Sequence, residues 1–149
     1  MRCAGQGMKV LIIQFMKGSL EYGEIISAKK LGITIMQFGR PGFINPTKPT
    51  QADFDIARKG LDELHEAVIS GDWDMVIADE INVALKFGLL ELTDVLQTVA
   101  VRNAKTELVF TGRYAAPELI DAADLVTEMK EIKHYFNTEG LDARQGVEF

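Results

Sequence analysis

A chain of 149 residues, 47% hydrophobic and 26% charged, has the content of one globular core and excludes a disordered or collagen-like polymer. A net charge of −6, with no basic cluster larger than Lys29 and Lys30, argues against a nucleic-acid backbone as ligand. The lone Cys3 can make no internal disulfide, no run approaches the ~20 apolar residues of a membrane span, and no cleavage site follows the short apolar run near the start, so a cytoplasmic protein is expected.

Gly5-Gln6-Gly7 lies before a strand instead of after one and reads as the end of a helix, not as a dinucleotide fingerprint. Val10 to Phe15 (VLIIQF) is a continuous apolar, β-branched run, the pattern of a strand buried on both faces, and Ile33 to Phe38 (ITIMQF) repeats it. Between them Glu21 to Leu31 is a short amphipathic helix stopped by Gly32, completing one β-α-β unit. Gly39 to Pro49 (GRPGFINPTKP) gathers prolines and glycines and reads as an exposed loop. Thr50 caps a helix from Gln51 to about Ser70, stopped by Gly71. His65 on that helix stands beside charged neighbours, with no second ligand one turn away, and is expected to face solvent.

Met75 to Ala78 is the third strand, Glu107 to Phe110 the fourth and Leu125 to Met129 (LVTEM) a fifth. Helical patterns fill Ile81 to Phe87, Leu92 to Arg102 and Ala116 to Ala123. Strands alternating with helices predict an α/β fold, a mainly parallel, doubly wound sheet flanked by helices in one domain spanning 1–149, with a polar tail over 133–149.

In such sheets ligands bind beyond the carboxyl ends of the strands. The candidates on that rim are Gln14, Lys17 and Gly18 after the first strand, Gly39 to Pro49 after the second, Asp79 and Glu80 after the third, and Thr111, Gly112 and Arg113 after the fourth. Acids there suit Mg²⁺, which takes one or two protein oxygens and completes its octahedron with water and phosphate oxygens. Asp79 could equally cap the following helix. Arg113 could fork onto phosphate oxygens or pair with Asp79 or Asp121. No G-x-S-x-G, H-E-x-x-H or zinc-spaced cysteine pair occurs, and no nucleophile–histidine pair stands out.

The succession GQGMKVLIIQFMKG, ITIMQFGRPGF, MVIADEI, ELVFTGR and LVTEMKEIKHYFNTEGLDARQGVEF resembles the P-loop-type ATP:corrinoid adenosyltransferases over essentially the whole chain. The resemblance implies a P-loop NTPase (RecA-like) fold and transfer of the 5′-deoxyadenosyl group of ATP to the Co(I) centre of a corrinoid such as cobalamin, releasing triphosphate. The cobalt is the nucleophile, so no side-chain nucleophile is needed. It further implies Glu80 as the Mg²⁺ carboxylate with Asp79 in support, and Lys17 and Arg113 on the ATP phosphates. Phe43 falls in a loop covering the corrinoid; where relatives commonly carry a second aromatic, this chain has Asn45. A homodimer and an electron-donating reductase are the implied partners, with neither nucleic acid nor membrane. The family's G-x-G-K-G-K-T phosphate loop and the strand before it have no counterpart here. Two alternatives therefore stand beside the transferase: a corrinoid- or nucleotide-binding module without turnover, and an assembly subunit of a larger enzyme.

Overall fold

The computed structural model describes residues 1–18, 22–42, 44–45 and 47–147. Four parallel strands, β1 (Val10–Phe15), β2 (Thr34–Phe38), β3 (Met75–Asp79) and β4 (Glu107–Phe110), form one sheet in the order β2-β1-β3-β4. The apolar run of β1 occupies the centre of the sheet, as its lack of alternation predicts, whereas the similar run of β2, expected to be buried on both faces, is the edge strand, with Thr34 and Met36 exposed because no strand covers its outer side in the described sheet. The helices are α1 (Arg2–Gly5), α2 (Gly23–Lys30), α3 (Gln51–Ser70), α4 (Ile81–Lys86), α5 (Leu92–Ala100), α6 (Pro117–Ala122) and α7 (Tyr135–Glu139).

The core lies on one face of the sheet. Leu11, Ile13, Phe15, Val76 and Ala78 point into it and meet Leu61, Leu64 and Val68 of α3, Ile81 and Ala84 of α4, Val95 of α5 and Leu119 of α6. Helix α3 comes close because Gly60 lies at mid-helix: a Cβ there would stand 2.9 Å from both Phe15 Cε1 and Phe38 Cγ. The conformational cost of a helical glycine, roughly 0.5–1 kcal/mol, is offset by the aromatic pair that it admits.

The opposite face is thinly covered. Register matches Ile12 with Ile35 and with Ile77, and Ile77 with Val109, so one apolar row crosses all four strands. Each of the four is only half-buried. Helix α2 sits on this side: its Ala28 is buried yet lies outside the main core, and Ile25 shares a cleft with Ile35.

Two ends match the sequence reading closely. Helix α1 closes with Gly7 N–H on Ala4 O, Met8 N–H on Cys3 O and Gly7 at φ 76°, the paired bonds of a Schellman motif. Thr50 caps α3 through a reciprocal box with Asp53, whose Oδ2 accepts from Thr50 N at 2.8 Å. Asp53 is 4% exposed and also takes Arg40 at 2.7 Å, which ties the 39–50 loop to the helix start. Asp53→Asn should therefore lose about 1–2 kcal/mol of stability, read as a lower urea midpoint at unchanged slope.

Two further expectations are corrected. Residues 125–129 form no strand; Leu125 and Met129 are 85% and 95% exposed. A strand needs a hydrogen-bonding neighbour, and β4 ends the described sheet without pairing to them. His65 does not simply face solvent. It is half-buried, with Nδ1 3.2 Å from Thr98 Oγ1, because it lies one residue beyond the buried Leu64 on the side of α3 that meets α5.

Candidate functional site at the carboxyl rim

At the carboxyl end of β3 two adjacent acids have different surroundings. Asp79 is the last residue of the strand and points to the sparsely covered face, where a polar row crosses the sheet. Gln37 Nε2 donates to Gln14 Oε1 at 3.0 Å, and Gln14 Nε2 donates to Asp79 Oδ2 at 3.1 Å. Asp79 Oδ2 also accepts from Lys17 Nζ at 3.0 Å, and Oδ1 from Thr111 Oγ1 at 2.8 Å. Asp79 thus anchors residues from β1, from the turn after it and from the end of β4.

Burial alone would raise the Asp79 carboxyl, but the bonds from Thr111 and Lys17, the Lys17 charge and Gln14 outweigh it and hold the group below the usual carboxylate range. Asp53 is held low as well, chiefly by the Thr50 backbone N–H. Both folded-state values lie below the unfolded one, so the unfolded chain binds more protons in acid. Their contribution is complete above the unfolded pKa of about 3.9 and is lost as pH falls through the folded values. Urea midpoints should fall steeply below about pH 4, and Asp79→Asn should flatten that slope.

Glu80 is the opposite case. It starts α4 as N-cap in the left-handed region at φ 64°, a strained conformation for a residue with a Cβ. Its backbone N–H donates to Thr111 Oγ1 at 3.0 Å, so one hydroxyl bridges both acids. Its half-buried side chain has no hydrogen bond or ion pair among the described residues. Gly112, at φ 120°, leaves room for it: a Cβ on Gly112 would stand 3.2 Å from Glu80 Oε2.

Neighbouring positions fill out the rim. Asn82, 7% exposed, donates from Nδ2 to Gly112 O at 3.3 Å, and its buried Oδ1 has no partner among the described residues. Arg113 is exposed and makes no ion pair among the described residues, with Asp79 and Asp121 included; its guanidinium stacks on Tyr114 at 5.5 Å. Lys17, by contrast, is paired with Asp79 and lies 3.8 Å from Glu24.

The turn that delivers Lys17 is tightly built. Met16 adopts φ 60° and its N–H bonds to Phe38 O at 2.8 Å. Gly39 then crosses so closely that a Cβ would stand 2.3 Å from Met16 C and 2.4 Å from Lys17 N; one on Gly18 would be 2.6 Å from Gly39 O. These glycines line a cleft of about 360 Å³ with Ile25, Ile35 and Gln37.

The structure therefore brings together Lys17, Asp79, Glu80 and the Thr111-Gly112-Arg113 turn. Asn45 stands apart in its loop, where Oδ1 accepts from Thr47 N at 3.0 Å and from Thr47 Oγ1 at 2.8 Å, so its side chain shapes the turn. Phe43 lies outside the described residues. Sequence reasoning missed Gln37, Asn82 and the Gly18–Gly39 crossing. Gln14 and Gln37 at equal distance from their strand ends were the available signal for the first.

No group of three or more His, Cys, Asp or Glu able to hold a metal ion occurs among the described residues. The donor set still fits Mg²⁺, because that ion accepts one or two carboxylates and fills its other positions with water and phosphate oxygens. Glu80 is uncommitted among the described residues, whereas Asp79 already accepts three hydrogen bonds.

Parallel strands with acids and cations gathered at their carboxyl ends define an α/β protein whose rim is where such sheets bind ligands. The chain matches the family described as ATP:corrinoid adenosyltransferase BtuR/CobO/CobP over residues 1–149, and it belongs to that family. It is 39% identical over 150 residues to a corrinoid adenosyltransferase of Pseudomonas aeruginosa, covering 99% of this chain and 73% of that protein. It is 36% identical to one from Sinorhizobium sp., covering 99% and 70%, and 28% identical to the corrinoid adenosyltransferase of Escherichia coli K12, covering 99% and 74%.

Proposed function

We propose that this chain transfers the 5′-deoxyadenosyl group of ATP to the Co(I) centre of a corrinoid, with release of triphosphate, as a cytoplasmic enzyme. The observation that carries the site assignment is Glu80: a half-buried carboxylate, free of partners among the described residues, at the rim where a triphosphate would lie. Glu80 would hold Mg²⁺, which supplies positive charge against the triphosphate that leaves.

The remaining residues bind and orient. Asp79 positions Lys17 and Thr111, and an ammonium with three donors keeps two for phosphate oxygens after meeting Asp79. Arg113 offers a planar fork to the same phosphates. Since the attacking centre belongs to the corrinoid, catalysis here is orientation and charge stabilisation, which accords with a rim that offers donors and acids but no side-chain nucleophile–base pair. Phe43, outside the described residues, is assigned to the corrinoid by the family resemblance alone, and Asn45 shapes its own turn through Thr47. The active species is a homodimer served by an electron-donating reductase.

The test is incubation of the chain with chemically reduced cob(I)alamin and Mg-ATP, following adenosylcobalamin by its visible spectrum and triphosphate by chromatography. Both products should form in equal amounts. Ligand binding without either product would support the binding-module alternative instead, and turnover only after addition of a protein with a phosphate loop would support the assembly subunit. Phe43→Ala should slow corrinoid conversion at least several-fold while leaving ATP affinity within a factor of about two.

A further inference from the structure

Beyond the last β3–β4 pair, Ala78 with Phe110, the two chains diverge toward α4 and α6 and are held by individual bonds. Thr111 is tied several times: its Oγ1 meets Asp79 and the Glu80 N–H, and its carbonyl accepts from Asn82 N–H at 3.3 Å. Gly112 is tied once among the described residues, by its carbonyl to Asn82 Nδ2 at 3.3 Å. The amide that makes this bond is costly where it sits. Asn82 is 7% exposed, its sequence neighbours Ile81, Val83 and Ala84 are buried, and its buried Oδ1 has no partner among the described residues. A buried acceptor without a donor is destabilising, and an apolar side chain of similar shape would remove the penalty. Packing alone would favour leucine here; the bond to Gly112 is what the amide adds.

We propose that Asn82 is a positioning residue for the phosphates, acting through the peptide between Gly112 and Arg113. A trans peptide sends its carbonyl and its N–H in opposite directions, and no cis bond occurs among the described residues. With Gly112 O held on the buried Asn82, the Arg113 N–H points away from it. Gly112 and Arg113 are both exposed, so that direction is solvent, and this N–H has no partner among the described residues. The peptide also lies beside the candidate Mg²⁺ carboxylate, since a Cβ on Gly112 would stand 3.2 Å from both Asn82 Cβ and Glu80 Oε2.

Arg113 therefore presents a main-chain donor in addition to its guanidinium, which Tyr114 steadies at 5.5 Å. Asn82 fixes where that donor points. Gly112, at φ 120°, has the conformational freedom to turn the peptide over once the side chain that holds its carbonyl is gone. Thr111 would stay in place, because its bonds to Asp79 and Glu80 do not involve the Asn82 side chain. This inference rests on the reading that a triphosphate lies at this rim, and it adds to that reading one donor and the residue that aims it.

The test is an amide NMR titration of the isotope-labelled chain with inorganic triphosphate and Mg²⁺, run on the unaltered sequence and on Asn82→Leu. In the unaltered chain the Arg113 amide proton should move downfield as the site fills. Asn82→Leu should keep the urea midpoint at or above its original value and the Glu80 amide at its original shift. It should lose the Arg113 response and bind triphosphate about tenfold more weakly, the scale of one hydrogen bond to a charged group. An Arg113 amide that does not move in the unaltered chain overturns the proposal. So does a full Arg113 response, or unchanged affinity, in Asn82→Leu. A variant that displaces the Glu80 and Arg113 amides alike and lowers the urea midpoint assigns Asn82 to packing and overturns it as well. If Asn82→Leu does not fold, Asn82→Ala is titrated in its place, and an Arg113 response retained there overturns the proposal. Adenosylation is scored separately. A chain that makes adenosylcobalamin with its Arg113 amide unmoved loses only this proposal, and one that makes none yet shows the response loses only the transferase reading.

Discussion

Glu80→Gln is expected to weaken Mg-ATP binding and slow corrinoid adenosylation by on the order of 10–100-fold each, while moving stability by less than about 0.5 kcal/mol. The separation follows from geometry. The Glu80 side chain makes no hydrogen bond or ion pair among the described residues, so neutralising it removes a ligand charge and disturbs no packing. Asp79→Asn should behave differently. It replaces an acceptor shared by Gln14, Lys17 and Thr111, so stability and binding should fall together. Asp53 is no neutral reference for this comparison, since it is buried in the α3 cap and holds Arg40. Glu63, exposed on α3, is the suitable control, and Glu63→Gln should leave both readouts unchanged. Isothermal titration with Mg-ATP, with urea melts on the same preparations, decides it. Equal losses in Glu80→Gln and Glu63→Gln would remove the metal-carboxylate assignment.

The rim was legible because strand ends are: apolar runs that stop on QFMKG, DE and TGR mark where side chains can leave the core. What each acid does there was not legible. Asp79 and Glu80 are adjacent in sequence, and only the pleat, which sends Asp79 into the glutamine row, and the left-handed turn at Glu80 separate a carboxylate with three donors from one without a partner among the described residues. His65 was misplaced because its charged neighbours Glu63 and Glu66 suggested solvent, whereas the contact of α3 with α5 brings it to Thr98. Leu125 to Met129 has the composition of a strand, but composition cannot supply the neighbour to which a strand must bond, and none of the four described strands pairs with it. Arg40 and Asp53, thirteen residues apart across a loop, carry no periodic signal at all.

Gly39→Ala should be the most damaging glycine-to-alanine change in the chain, its Cβ position being the most crowded of the glycines. The added Cβ would sit 2.3 Å from Met16 C and 2.4 Å from Lys17 N. Both are backbone atoms, so no flexible side chain can swing away and the two crossing loops must part. A loss of about 1–3 kcal/mol or more is expected from overpacking alone. The functional cost follows from what crosses there. Moving the Met16–Lys17 peptide breaks the register that holds Met16 N–H on Phe38 O and aims Lys17 at Asp79. ATP affinity should therefore fall along with the urea midpoint. Gly42→Ala serves as the comparison, because it lies in the same loop with nothing within 4 Å of its Cβ position, although its φ of 96° adds backbone strain. Strain without the clash should lower stability and leave ATP affinity intact. If Gly42→Ala lowers ATP affinity as much as Gly39→Ala does, loop strain and not the crossing controls Lys17, and the positioning role of Gly39 fails.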